Sequence, residues 1–231
     1  MPKDFSALKQ KTGISFANEQ LMEQVFIHRS YLNEHEESEL GSNERLEFLG
    51  DAVLELVVTE RLFTEYPEKD EGELTAIRSA VVRREHLAKI AKELDLGQYL
   101  SLSKGEEQSG GSQKDYILAN TLEALIGGLY VEQGYEVAKL FVEAHMLMEL
   151  HRIVEDKLFV DNKSKFQELA QERLAITPHY QLVEEIGPDH EKQFVMGVFL
   201  GSDKIAEGSG TSKRKAEEEA ANKALAVKQW E

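Results

Sequence analysis

The hydrophobic repeat changes once along this 231-residue chain, and that change limits the folds open to it. Up to about His151 the apolar residues return every three or four positions, as on amphipathic helices. The spacing predicts helices over 6–11, 18–26, 43–66, 74–94, 115–132 and 136–153, with a Gly- and Ser-rich loop over 101–112. From Asp161 the pattern differs. A helix over 163–175 carries Phe166, Leu169, Ala170 and Leu174 on one face, and three short strands follow over 180–185, 193–200 and 204–208. Gly187-Pro188-Asp189 and Gly201-Ser202-Asp203 supply the turns, and a last helix runs from after Ser212 to about Lys228. The expected organisation is an all-α domain over 1–153, a charged, irregular linker over 154–160, and an α+β domain of order α-β-β-β-α over 161–231.

Within the helical part, Asn43-Glu44-Arg45-Leu46-Glu47-Phe48-Leu49-Gly50-Asp51-Ala52-Val53-Leu54 concentrates acid on one side of a helix. At about 100° per residue, Glu44, Glu47 and Asp51 fall within an arc of roughly 60°. Leu46, Leu49, Val53, Leu54 and Val57 form an apolar stripe elsewhere on the same helix, so Glu47 and Asp51 border the buried side. Arg45 points away. Three carboxylates at this spacing repel one another unless a positive partner joins them, most simply a divalent cation. On spacing alone such a run is more often a solvated acidic face. A second cluster favours the cation: Asn120 and Glu123 stand at i,i+3 on the apolar segment 117–128. Hard oxygen donors from two facing helices are what Mg²⁺ takes.

The net charge of −16 weighs against a nucleic-acid partner, but it is unevenly spread. From Asp161 onward there are 10 basic and 13 acidic residues, against 17 and 30 before it, so the acid lies in the part carrying the candidate metal cluster. The chain has no cysteine, which excludes disulfides and thiolate metal sites and suits a reducing compartment. Met1-Pro2-Lys3-Asp4-Phe5 does not read as a secretory signal, and no apolar stretch has the length of a membrane span. A soluble, cytoplasmic protein without membrane association is expected.

The segment around 44–54 resembles the signature of the bacterial ribonuclease III family. So do His28-Arg29-Ser30-Tyr31 upstream, Glu71-Gly72-Glu73-Leu74 between the acidic helices, and Ser109-Gly110-Gly111 before the second. The resemblance extends over nearly the whole chain, with four short motifs in the expected order over about 100 residues. It implies an all-α endonuclease domain followed by a double-stranded-RNA-binding domain. The implied reaction is Mg²⁺-dependent hydrolysis of double-stranded RNA, Mn²⁺ substituting, with 5′-phosphate and 3′-hydroxyl ends. Two subunits would pair so that each cuts one strand, leaving short 3′ overhangs in ribosomal precursors and other structured RNA. No small-molecule cofactor is implied.

Position by position, the resemblance makes Glu47, Asp51, Asn120 and Glu123 the metal shell, with Glu47, Asp51 and Glu123 catalytic. Glu44 and Glu71 match further acidic positions and would support them. Glu71 has an equally good explanation as a carboxylate at a helix start, where the dipole favours it. Two departures stand out. The family usually has Asp where this chain has Asn120, so metal should bind more weakly. The family's loop after Ser109-Gly110-Gly111 often carries arginines; here it reads Ser112-Gln113-Lys114-Asp115, a change that would remove a phosphate contact.

In the second domain, Ser212 is a good N-cap, yet Lys213, Arg214 and Lys215 follow it, and cations in a first turn oppose the dipole. With backbone N–H groups they make a phosphate site. The stretch 208–221 is similar to the most characteristic part of the double-stranded-RNA-binding domain. By that likeness Gln167, Glu168 and Gln171 would reach one minor groove and His190 the next, while Lys213, Arg214 and Lys215 grip phosphates between them. Taken alone, His190 reads as an ordinary surface-loop histidine. The main alternative function is a non-catalytic double-stranded-RNA-binding protein, which would have no use for the acid cluster. An all-α enzyme acting on small diphosphates would leave 161–231 without a purpose.

Overall fold

The computed structural model describes residues 3–159, 161–188 and 192–230, which form two compact units, one up to Phe159 and the other from Asp161. The first is helical: α1 (Ser6–Thr12), α2 (Glu19–Val25), α3 (Arg29–Leu32), α4 (Glu44–Glu65), α5 (Glu71–Val81), α6 (Arg84–Glu93), α7 (Lys104–Gln108), α8 (Asp115–Gln133), α9 (Tyr135–His145) and α10 (Leu150–Glu155), with short 3₁₀ turns at Leu96–Tyr99 and Gly111–Gln113. The central element is α8. Its residues Ile117, Leu118, Leu122, Leu125, Ile126 and Leu129 are all buried, as expected of a mostly apolar helix, and α4, α6, α9 and α2 pack around it.

Four expectations change. The helix expected over 74–94 is two helices, because Arg83 leaves the helical region with φ −62° and ψ 145°. No Gly or Pro marks the break. It lets α5 lie on α4 and α10 while α6 lies on α8, which one straight helix could not do. The helix expected over 136–153 is likewise divided into α9 and α10. The loop expected over 101–112 contains α7, whose N-cap Ser103 accepts from the Glu106 amide at 3.2 Å. The segment expected as a linker from residue 154 begins inside α10, and Val154 and Phe159 pack against the first unit's core. Their apolar side chains explain the difference.

The second unit runs α11 (Asn162–Leu174), β1 (His179–Ile186), β2 (Gln193–Leu200), β3 (Asp203–Gly210) and α12 (Lys213–Lys228), with an antiparallel sheet ordered β1-β2-β3. Its core is separate and small: Phe166, Ala170, Val198, Leu200, Ala220, Ala221, Ala224, Leu225 and Trp230. Phe166 stacks on Trp230 with centroids 5.4 Å apart. The alanines let α12 approach β3 so closely that a Cβ on Gly208 would lie 2.2 Å from the Ala220 nitrogen. Among the described residues no helix is long and apolar enough to cross a membrane.

Candidate active site and nucleic-acid interface

The helices α4 and α8 cross in backbone contact. A Cβ on Gly50 would lie 1.8 Å from the carbonyl oxygen of Glu123, and one on Gly127 would lie 2.1 Å from that of Leu46. Two missing side chains therefore set the separation of the helices. Glu47 and Asp51 flank Gly50 on α4, and Asn120 and Glu123 stand one to two turns before Gly127 on α8. The crossing gathers all four with Glu44, Phe48, Arg84 and Ala119 around a cavity of about 420 Å³. Here two sequence-separated clusters meet.

The electrostatics are those of an anion cluster short of counter-charge. Burial, then the charges of Asp51 and Glu47, push the Glu123 carboxyl up to about 7, against the opposing pull of Arg84. Glu47 is raised as well, first by burial and then by Glu44 and Asp51, while a hydrogen bond from Asn120 holds it down. A bond to an ionised carboxylate must come from the amide N–H₂, which leaves the Asn120 oxygen available as a donor to a cation. Among the described residues no three His, Cys, Asp or Glu side chains already form a metal cage. The donors nevertheless fit a hard divalent ion: all are oxygens, and at Glu47 and Glu123 burial and neighbouring charge disfavour the ionised form.

Glu44 lies at the edge of the cluster, accepting from Ser42 Oγ at 2.8 Å and facing Arg29 at 3.5 Å. It also lines an adjoining cavity of about 430 Å³ with Glu47, Asn120, His28, Arg29, Ser30 and Asn33. Glu71 is not brought to either cavity. It opens α5, exposed, beside Asp70, whose side chain caps the helix at Glu73. Lys114 is held by Glu106 at 2.6 Å and Ser109 at 2.9 Å. Phe48 and Arg84 line the acid cavity without having been singled out by sequence. Phe48 left no signal beyond an apolar residue off the stripe. Arg84 is basic at a helix start, visible only once α6 is known to begin there.

In the second unit, Gln167, Glu168 and Gln171 are exposed on the side of α11 opposite Phe166 and Ala170, and Gln171 donates to Thr177 at 3.2 Å. Ser212 caps α12 by accepting from the Lys215 amide at 3.3 Å, and Lys213, Arg214 and Lys215 are exposed. Lys213 faces Glu185 at 4.0 Å and lies over Phe194. His190 lies outside the described residues. If these three cations contact phosphates, replacing any one by Gln should lower the slope of log K against log salt by about one, equally for every duplex sequence. An unchanged slope in a filter-binding titration would remove that residue from the interface.

Residues 18–150 match the family model described as Ribonuclease-III-like, and residues 162–228 match that of the double-stranded RNA binding motif. A helical unit with an acid-lined cavity, joined to such a motif, defines a nuclease of double-stranded RNA. Ribonuclease 3 of Streptococcus agalactiae is 42% identical over 224 residues, which is 97% of this chain and 98% of that protein. Ribonuclease 3 of Bacillus cytotoxicus is 44% identical over 221 residues, covering 96% and 90%. Among solved structures, a nuclease domain of ribonuclease III from Campylobacter jejuni matches 63% of this chain and 95% of its own at 39% identity and a TM-score of 0.58. A second structure of that domain, described for flexibility in a region involved in dimer formation, matches at 38% identity and the same TM-score, covering 62% of this chain and 96% of its own. The chain belongs to the ribonuclease III family. It is thus a double-stranded-RNA endonuclease, of a family that works with divalent metal ions.

Proposed function

We propose that this chain hydrolyses double-stranded RNA in the cytoplasm with Mg²⁺ as its metal, as a homodimer, leaving 5′-phosphate and 3′-hydroxyl ends with short 3′ overhangs. Its substrates in this reading are ribosomal RNA precursors and other structured RNA. The observation that carries it is the single cavity shared by Glu47, Asp51, Asn120 and Glu123, where burial and the charges of Asp51 and Glu47 push the Glu123 carboxyl up to about 7. A bound divalent ion lowers the pKa of water and offsets charge on phosphate oxygens. Glu47, Asp51 and Glu123 supply the carboxylate oxygens for such an ion, and Asn120 both donates to Glu47 and offers its carbonyl oxygen. Glu44 and Glu71 are supporting acidic residues, near the RNA or a second metal. Gln167, Glu168, Gln171 and His190 reach minor grooves, with Lys213, Arg214 and Lys215 on phosphate. Phe48, Leu56 and Phe63 support the homodimer: they lie on one side of α4 and are 82%, 56% and 75% exposed. Phe48 also lines the acid cavity, so a partner covering it would stand beside the site.

Incubating the protein with a perfect RNA duplex, in Mg²⁺ or in EDTA, and sequencing the product ends tests the whole reading. Cutting should require Mg²⁺ and give paired, staggered cuts. Binding without Mg²⁺-dependent cutting would instead indicate a non-catalytic double-stranded-RNA-binding protein. Asn120→Asp should lower the half-saturating Mg²⁺ concentration by roughly tenfold, the equivalent of about 1.4 kcal/mol from one more ligand charge. An unchanged Mg²⁺ dependence would show that Asn120 is not a ligand.

A further inference from the structure

The acid cavity contains one guanidinium, that of Arg84. Arg84 is the first residue of α6, where a cation opposes the helix dipole, so helix stability does not call for it. Its side chain is exposed, and none of the ion pairs among the described residues includes it, although its charge reaches Glu123. Two other cations of this unit are engaged, Arg29 with Glu44 at 3.5 Å and Lys114 with Glu106 at 2.6 Å. A phosphodiester entering this cavity brings negative charge to an acidic surface. Its two non-bridging oxygens need donors, and a guanidinium offers two in a fixed fork.

We propose that Arg84 is a substrate-contacting catalytic residue whose guanidinium holds the non-bridging oxygens of the phosphate being cut. The inference rests on the hydrolysis reading above and gives a task to a residue that reading leaves idle. In the reaction a water oxygen bonds to phosphorus and the bond from phosphorus to the 3′ oxygen breaks. The water gives up a proton and the 3′ oxygen takes one, while charge builds on the oxygens that Arg84 faces. A donor aimed at such charge typically contributes about 10²–10³ in rate. The competing role for Arg84 is simple neutralisation of the carboxylates. That role makes a different prediction: removing the cation would leave the cluster more negative, so Mg²⁺ would saturate at lower concentration with the saturated rate unchanged.

The test compares the full chain with its R84Q and R84K variants on one perfect RNA duplex. Single-turnover cleavage is measured at saturating protein across a Mg²⁺ titration, and duplex binding is measured in EDTA across a salt titration. R84Q should lose about 10²–10³-fold in the saturated rate. Its binding slope against salt should fall by about one contact, and R84K should recover part of the rate. Because the side chain is exposed, matching thermal melts will show that the fold is intact. Full saturated activity in R84Q, with or without a lower Mg²⁺ requirement, would overturn the assignment. A wild-type chain that binds the duplex and does not cut it would overturn the hydrolysis reading itself, and the inference with it. Whether wild type cuts tells the two failures apart.

Discussion

Gly50→Ala is expected to destabilise the nuclease unit by about 1–3 kcal/mol and to slow cleavage by at least about a hundredfold. Two effects compete at this position. Inside a helix, alanine is favoured over glycine by roughly 0.8–1 kcal/mol. Against that, the added methyl would sit 1.8 Å from the Glu123 oxygen, 2.7 Å from its carbonyl carbon and 2.8 Å from the Gly127 nitrogen. These are backbone atoms and cannot rotate aside, so α4 and α8 must separate by about an ångström or more. Separation opens gaps along the seam beside Leu46, Leu54 and Leu122, and overpacking of this kind outweighs the helix preference. It also moves Glu47 and Asp51 away from Asn120 and Glu123, and misplacement by an ångström is enough to cost about a hundredfold in rate. Gly105 in α7 is the control, since a Cβ there meets nothing within 4 Å. Urea denaturation and a single-turnover assay measure both effects. A Gly50→Ala protein as stable and active as wild type would show that the crossing does not set the site.

With Glu123 as a metal ligand, as proposed, Glu123→Gln should reduce cleavage by roughly 10³-fold or more, since the lost contact would forfeit several kcal/mol of charge stabilisation and each 1.36 kcal/mol is tenfold. Its stability should change in the opposite direction. The Glu123 carboxyl stands near 7 in the folded metal-free protein, above its ordinary 4.5, so the folded state holds this proton more tightly than the unfolded one. The resulting stabilisation is fully present below about 4.5 and is lost as pH rises through about 7. Without metal, wild type should therefore melt at a lower temperature at pH 8 than at pH 5.5. Glu123→Gln should flatten that part of the profile and melt higher than wild type at pH 8. Mg²⁺ should raise the melting temperature of wild type at pH 8 far more than that of the variant. Equal pH profiles for the two proteins in EDTA would remove Glu123 from the charge conflict.

The limits of the sequence show at particular residues. Helix α8 was legible because most of its positions are apolar, and β2 because its turns and β-branched and aromatic run leave few alternatives. The carboxylate pairs at i,i+3 and i,i+4 were legible because helix geometry alone puts them on one side. What brings the pairs together was not, since glycines at 50 and 127 gain their meaning only from the backbone opposite each. The break at Val82–Arg83 was hidden for a related reason: tertiary packing, not a helix breaker, produces it. Arg84 was hidden with it, because a residue read as mid-helix gives no sign of opposing a dipole. Lys213, Arg214 and Lys215 pose the same conflict after a visible N-cap, and there it could be read directly.

The small separate core of the second unit carries a consequence for how the protein behaves off its substrate. About 70 residues rest there on two large aromatic rings, a few aliphatic side chains and a row of alanines, near the lower limit at which a chain stabilises itself. Any duplex that binds the folded unit alone adds stability in proportion to the logarithm of its concentration over the dissociation constant. A saturating duplex therefore serves this unit as an external part of its own folding free energy. The unit that matches the double-stranded RNA binding motif is thus one whose persistence is strengthened by the RNA it binds.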